Sequence, residues 1–350
     1  MRPHLAARAD VQGGVFTREQ AIRAGYTAAE LRTLTGPRGA WIVVRRGVYA
    51  PRCLWESLDR HTGQWLLRDR AADLATGPAH VLSHDSAARA LGLDLLRAAR
   101  PGVHLTRPGV GGSRHQNGVW HHLSRLAPPE LTTASGLLVT GPGRTVVDVA
   151  RFHGFQAGVV VGDSALREGF TAQELLTGLE GTAHFPGIGD ARAALDHLDA
   201  GAESVGETLS RLFVEELGLG PVRTQLAVRI GPGGRRVVWC DLCVGCHVIE
   251  FDGRIKFRVP EHGGVATAAL EDVLWDERQR QLLVCAEGLG MSRLGWDDVL
   301  GPGREEAKRR VRAEYAVTLA RFGDRLPEHL ERFADSMTGR RRHPAARRPA

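Results

Sequence analysis

Apolar positions recur along this chain with two periods, one helical and one alternating, and the changes of period divide it into segments. Phe16-Thr17-Arg18-Glu19-Gln20-Ala21-Ile22-Arg23-Ala24-Gly25 has the spacing of a short helix. Thr17 stands where an N-cap hydroxyl is wanted and Gly25 where a helix stops. Glu19 and Gln20 fall in the first turn, where acidic or polar groups suit the helix dipole. After the break at Gly25-Tyr26, Thr27 caps a second helix, Ala28-Ala29-Glu30-Leu31-Arg32-Thr33-Leu34, and this is a helix-turn-helix spacing. The turn Gly36-Pro37-Arg38-Gly39 then leads into residues 40–50, which read as two short strands around Arg45-Arg46-Gly47. Two helices followed by an arginine-tipped hairpin predict a winged helix-turn-helix over residues 1–59. A recognition helix enters the major groove while a basic wing grips phosphate or the minor groove. Arg32, Arg38, Arg45 and Arg46 are the candidate contacts to double-stranded DNA. A small helical domain used for protein contacts is the competing reading.

Residues 60–200 mix helical stretches with short strands. Residues 103–106 and 137–140 read as strands, residues 145–152 and 157–168 as helices, and Thr171 can cap a helix over 172–179. His115, His121 and His122 are close in sequence, with His84 and His104 nearby. A metal site needs two or three such rings to converge with a carboxylate. Their spacing matches no helical ligand motif, and His121 and His122 on one strand point to opposite faces. A mixed α+β connecting domain without a metal is expected here.

From Ser204 the helical period returns. Val205, Leu209, Leu212, Phe213 and Leu217 form one apolar stripe that ends at Gly218. Strands are expected over 222–230, 236–243 and 246–251, then a helix over 267–287 and a short strand over 291–294. If Val244-Gly245 is the hairpin loop, Cys243 faces Cys246, Asp241 faces Val248 and Trp239 faces Glu250. Asp241, Glu250 and Asp252 then share a sheet face. Three converging acids repel one another unless a cation lies among them, and oxygen ligands of this kind suit Mg²⁺ or Mn²⁺. The same register turns Cys240 away from Cys243 and Cys246, which argues against a three-cysteine zinc site and for buried small side chains.

Composition sharpens this picture in three places. At 350 residues, 43% hydrophobic and 25% charged, the chain has room for two or three folded domains. It has no apolar run of about 18 residues and no signal-like start, so a cytoplasmic location and no membrane partner are expected. Five cysteines, an odd number, do not suit a secreted disulfide framework. The net charge of +6 favours a polyanionic partner. Its 46 basic residues include only two lysines, Lys256 and Lys308. Lys256 follows Glu250-Phe251-Asp252-Gly253 closely, and a compact ammonium beside clustered carboxylates is the equipment of a metal-dependent phosphodiester hydrolase. Glu207 is a further candidate ligand, although Ser204-x-x-Glu207 is also a capping box. Residues 336–350 hold the arginine-rich stretch from Arg340 and read as a disordered tail.

The N-terminal segment resembles the N-terminal domain of AbiEi-type antitoxins, which repress transcription of their own operons. The resemblance continues weakly through Leu82-Ser83-His84-Asp85-Ser86-Ala87-Ala88, Gly136–Thr140 and Arg144–Asp148. Over residues 203–300 the chain resembles domains related to very-short-patch-repair endonucleases, of the P-D-(D/E)-x-K superfamily. Ser204-x-x-Glu207-Thr208, Glu250-Phe-Asp252-Gly253, Lys256-Phe257, Trp275-Asp276-Glu277-Arg278 and Trp296-Asp297-Asp298 carry that likeness. The pattern departs at one step: acid-x-lysine would put lysine at position 252, where this chain has Asp252. The fold class expected is multidomain α/β, ending in a restriction-endonuclease-like αβββαβ domain over 201–335. The resemblance implies catalytic Asp241, Glu250, Asp252, Lys256 and Glu207, with Mg²⁺ or Mn²⁺ held by the first three. Two functions stay open. One is a Mg²⁺-dependent endonuclease directed by its winged helix. The other is a non-catalytic DNA-binding regulator or antitoxin with a cognate toxin protein as partner. RNA as substrate is a third possibility, because nothing in the chain reads a 2′-hydroxyl.

Overall fold

The computed structural model describes residues 1–77, 79–97, 101–108, 112–253 and 270–338. The fold is mixed α/β, with one three-stranded, one six-stranded and one four-stranded sheet among the described residues. It divides into two compact units. The first spans 1–165 and 170–197, and the second spans 166–169 and 198–350.

The first unit opens with helix α1 (Pro3–Val11), strand β1 (Phe16–Thr17), helices α2 (Arg18–Arg23) and α3 (Ala28–Leu34), and strands β2 (Trp41–Arg45) and β3 (Val48–Pro51). Both expected caps form. The Thr17 hydroxyl accepts from the Gln20 N–H while the Gln20 side chain accepts from the Thr17 N–H, and Thr27 and Glu30 do the same for α3. Each box satisfies two amides that the first helical turn leaves without partners. The sheet runs β1-β3-β2, all antiparallel. Phe16 packs edge-on against Trp41, which stacks on Tyr49, and the three share a core with Leu5, Ala21 and Leu31, so the aromatic residues tie all three helices to the sheet. Neither α1 nor β1 was expected from the sequence pattern.

Helices α4 (Arg52–Ser57) and α5 (Gly63–Ala75) follow. Leu67 and Ala71 of α5 bury against Val15, Val48 and Ala50, so residues assigned by sequence to the middle segment complete the N-terminal core. The remaining elements are β4 (Val81–Leu82), α6 (His84–Ala90), β5 (Val103–Arg107), β6 (Arg114–Gln116), β7 (Val119–Leu123), β8 (Leu131–Ala134), β9 (Leu137–Thr140), α7 (Pro142–His153), α8 (Phe155–Arg167), α9 (Ala172–Leu176) and α10 (Ile188–Asp196). The six strands lie in the order β6-β7-β5-β4-β9-β8. β5 runs parallel to β7, and β4 parallel to β9. Ala87 and Ala90 of α6 pack on Leu82, Leu105 and Val139 at the sheet centre. Asp69 of α5 and Arg89 of α6 form a buried bidentate ion pair, at 2.7 and 2.9 Å, which pins α6 to α5.

The second unit runs α11 (Val205–Leu217), β10 (Arg223–Ile230), β11 (Arg236–Val244), β12 (His247–Phe251), α12 (Leu270–Ala286) and β13 (Gly290–Leu294), followed by α13 (Trp296–Val299), α14 (Arg304–Phe322) and α15 (Glu328–Ser336). Its sheet order is β10-β11-β12-β13, antiparallel except for the β12–β13 pair. Of the expected stripe on α11, Leu209, Leu212, Phe213 and Leu217 are buried, and Gly218 ends the helix in the left-handed region at φ 67°. Strand β13 lies beside β12 in parallel, so its chain must cross over, and α12 provides the crossing element.

The hairpin register differs from the expected one. Leu242 pairs with Ile249, Cys243 with Val248 and Val244 with His247, so the loop is Gly245-Cys246 and not Val244-Gly245. A two-residue hairpin favours glycine with positive φ at its first loop position, and Gly245 has φ 54°. Cys243 therefore does not face Cys246. Val248 thus pairs with Cys243, in place of the expected Asp241–Val248 pair. Cys240, expected to face away from Cys243 and Cys246, lies with both in one buried apolar cluster.

Candidate functional site

The N-terminal candidates lie on α3, in the turn after it and on the β2–β3 hairpin. Leu31 is buried beneath α3, and Ala28, Ala29, Arg32 and Thr33 are exposed. Arg38 and Arg46 are exposed too. Arg45 is only partly exposed, and its Nη1 donates to the Asn117 carbonyl at 3.2 Å. The chain turns at Gly47 with φ 78°, and a Cβ there would meet nothing within 4 Å. The hairpin tip thus has room for a ligand's backbone to approach. Three exposed guanidinium groups and a short helix presenting small side chains can bind a polyanion through charge-assisted hydrogen bonds.

The C-terminal acids are placed differently from one another. Asp241 and Glu250 are both buried. Asp241 Oδ2 accepts the Phe251 N–H at 2.9 Å, across the β11–β12 ladder. Glu250 takes two hydrogen bonds from Arg280 of α12, at 2.9 and 3.1 Å, and Arg280 also donates to the Trp239 carbonyl at 2.7 Å. Asp252 accepts from Arg293 Nη1 with both oxygens, at 2.9 and 3.1 Å. Glu207 was expected to satisfy the Ser204 amide, but its Oε2 accepts the N–H one residue earlier, of Glu203, at 2.8 Å, and Oε1 accepts the Ser204 hydroxyl at 2.9 Å. Gln225 Nε2 donates to the same carboxylate at 3.1 Å. Lys256 lies outside the described residues. Among the described residues, these carboxylates make no group of three with ligand atoms within 4.8 Å of one another. Carboxylates are the right donors for Mg²⁺, but a cation here would compete with two guanidinium groups already seated on Glu250 and Asp252.

The cysteines do not converge as ligands either. Cys240, Cys243 and Cys246 all border one apolar cluster with Leu226, Val248 and Val284. Burial pushes the Cys243 thiol up to about 12 and that of Cys240 well above its usual range, so both are protonated at neutral pH. Cys246 Sγ donates to the Arg325 carbonyl at 2.8 Å.

A denser constellation lies in the first unit, where a connecting domain was expected. His84 opens α6, His104 is on β5, His122 on β7 and His153 ends α7. His84, Asp85, His104 and His122 are buried. His104 Nδ1 and His122 Nε2 are 3.0 Å apart, and the His84 ring stacks on His122 at 3.8 Å. Burial lowers His104 to about 3 and His122 to about 4, and it drives His84 well below its usual value. All three rings are therefore neutral at physiological pH. Asp85 Oδ1 lies 2.8 Å from His153 Nε2 and Asp85 Oδ2 lies 3.8 Å from His104 Nε2. Beside the stacked rings is a cavity of about 380 Å³ lined by His84, His122, Arg144, Asp148, Arg151 and Phe152. Arg144 donates to Asp148 at 3.0 Å and to Glu130 at 2.6 Å, which neutralises the cavity wall.

The expectation of a domain without converging ligands was drawn from strand alternation. Alternation does hold for His121, which joins neither group, while His122 does. It could not show that the parallel β5–β7 pair and the two helices bring His84, His104, His122 and His153 together. Compared with protein-family models and with curated proteins, the chain matches none.

Proposed function

We propose that this chain is a double-stranded-DNA-binding regulator whose first 59 residues are a winged helix-turn-helix. The observation that carries this reading is the element order α1-β1-α2-α3-β2-β3 with sheet order β1-β3-β2. That order places a short helix with exposed Arg32 beside a hairpin tipped by exposed Arg46. In this reading α3 enters the major groove, and Arg38 and Arg46 contact phosphates. Arg45 contributes less, because its guanidinium already donates to Asn117. A cognate toxin protein is the partner that the antitoxin-like sequence adds to the proposal. A gel-shift salt titration on duplex DNA tests it. Arg46→Ala should lower the salt slope by about one counterion, and Arg45→Ala by less. An unchanged slope in Arg46→Ala and Arg32→Ala together removes the winged-helix reading.

A second reading, Mg²⁺- or Mn²⁺-dependent endonuclease, is favoured by one specific observation. The second unit has the α-β-β-β-α-β order, and Asp241 and Glu250 sit on its two central strands. The arginine pairing of Glu250 and Asp252 weighs against it, so we place it second. Plasmid relaxation with Mg²⁺ or Mn²⁺ against an EDTA control decides. Cleavage that disappears in Asp241→Asn, with duplex binding retained, would move it to first. No cleavage of DNA or RNA by the wild type leaves the regulator reading alone.

A further inference from the structure

We propose that Asp85, His104 and His153 form a binding site for a divalent first-row transition-metal ion, with two imidazoles and one carboxylate as ligands. Each offers one ligand atom, and the three atoms lie within 4.8 Å of one another. The Asp85–His153 and Asp85–His104 separations are 2.8 and 3.8 Å. Two donors bound at about 2.1 Å to one ion sit roughly 3 to 3.5 Å apart, so modest side-chain adjustment closes the set.

Two further observations single this set out. His104 Nε2 is fully buried and has no hydrogen-bond partner. A buried ring nitrogen in that state is costly, and it lies 3.8 Å from Asp85 Oδ2. The other ring nitrogen is engaged with His122, the arrangement that fixes the orientation of a ligating imidazole. Ring geometry then separates this set from His84, His104 and His122, whose ligand atoms also converge. An imidazole binds a metal in its own plane. The His84 and His122 rings are stacked face to face with 15° between their planes, so their lone pairs run side by side. His104 and His153 are inclined at 60° with centroids 6.2 Å apart, so they are not stacked face to face. The ligands come from α6, β5 and α7, three elements held by the domain core, so the site is positioned before any ion arrives. Imidazole with one carboxylate suits Zn²⁺, Fe²⁺, Ni²⁺ or Cu²⁺ over Mg²⁺. Three protein ligands leave a position open to water or a small anion.

The test uses the untagged full chain, stripped with chelator, and titrates Zn²⁺ by calorimetry and Co²⁺ by its visible absorption. One ion per chain should bind. Asp85→Asn and His153→Gln should each weaken binding by at least about 100-fold. His84→Asn should change it by less than about threefold. Circular dichroism confirms that each variant folds, and His153, the most exposed of the three ligands, gives the variant least able to disturb the fold. No stoichiometric Zn²⁺ or Co²⁺ binding overturns the proposal. So does binding that survives both Asp85→Asn and His153→Gln, or that is lost equally in His84→Asn.

Discussion

A single buried histidine, His247, shows how much one side chain can set. It sits on β12 with both ring nitrogens engaged, Nδ1 with Thr318 Oγ1 at 2.7 Å and Nε2 with Ser292 Oγ at 2.8 Å. The Ser292 hydroxyl donates onward to the Glu314 carboxylate and the Thr318 hydroxyl to the Glu314 carbonyl, so both ring partners are tied to α14. Burial lowers the His247 pKa to about 4. A histidine lowered in the folded state takes up its proton first in the unfolded chain. Its contribution is therefore intact above about pH 6.5 and is lost as pH falls from there towards 4. The loss amounts to at most about 3.5 kcal/mol at one pKa unit per 1.4 kcal/mol. Urea midpoints across pH 7 to 4 should fall for the wild type and fall less steeply for His247→Gln; identical slopes would mean that His247 does not drive the acid sensitivity. At this scale the sequence was uneven. The contact of Glu207 with Ser204 was legible because the two are three residues apart. The arginines that pair with Glu250 and Asp252 were not, because they lie 30 and 41 residues further along. His153 was missed for the same reason, standing 68 residues from Asp85.

Elements were read best where local chemistry defines their ends. Thr17, Thr27, Thr171 and Ser204 all cap the helices they were expected to cap. The order of β10 to β13 along the chain, with α12 before β13, was likewise legible. The hairpin loop slipped because Gly245 can occupy either loop position, and only tertiary packing distinguishes them. A Cβ on Gly245 would meet the Asp324 carbonyl at 2.5 Å, so the loop is seated against the chain beyond α14. β1 was invisible, being two residues long and defined wholly by its pairing with β3. Close packing makes a sharper prediction at Gly206 of α11. A Cβ there would overlap the Phe251 ring, which in turn packs edge-on against Trp296 at 5.1 Å. Gly206→Ala should gain slightly in helix propensity yet destabilise the second unit by about 1–3 kcal/mol through overpacking. Gly206→Ala combined with Phe251→Leu should recover part of that loss. A fully stable single variant would show that α11 does not press on β12 at this point.

For the whole molecule, the chain divides into two units, each with its own buried clusters. The six-stranded sheet of the first unit was the least legible part of the fold. Its centre joins Leu82 to Val139, and no local pattern announces a parallel pair that distant. The second unit offers a test of whether the two unfold separately. The Glu250–Arg280 pair is nearly out of water, with side-chain exposures of 3% and 12%. Removing only the arginine takes two charge-assisted hydrogen bonds from a buried carboxylate, which costs about 3–5 kcal/mol. Arg280→Met should therefore lower the melting transition of the second unit by roughly 10 °C, at about 2–4 °C per kcal/mol for a unit of this size. The transition of the first unit and duplex-DNA affinity should stay as in the wild type. Arg280→Met with Glu250→Met removes the uncompensated charge and should return most of the lost stability. Differential scanning calorimetry of the full chain reads both transitions at once. If both move together in Arg280→Met, the two units unfold as one cooperative body and their separate cores do not confer independence.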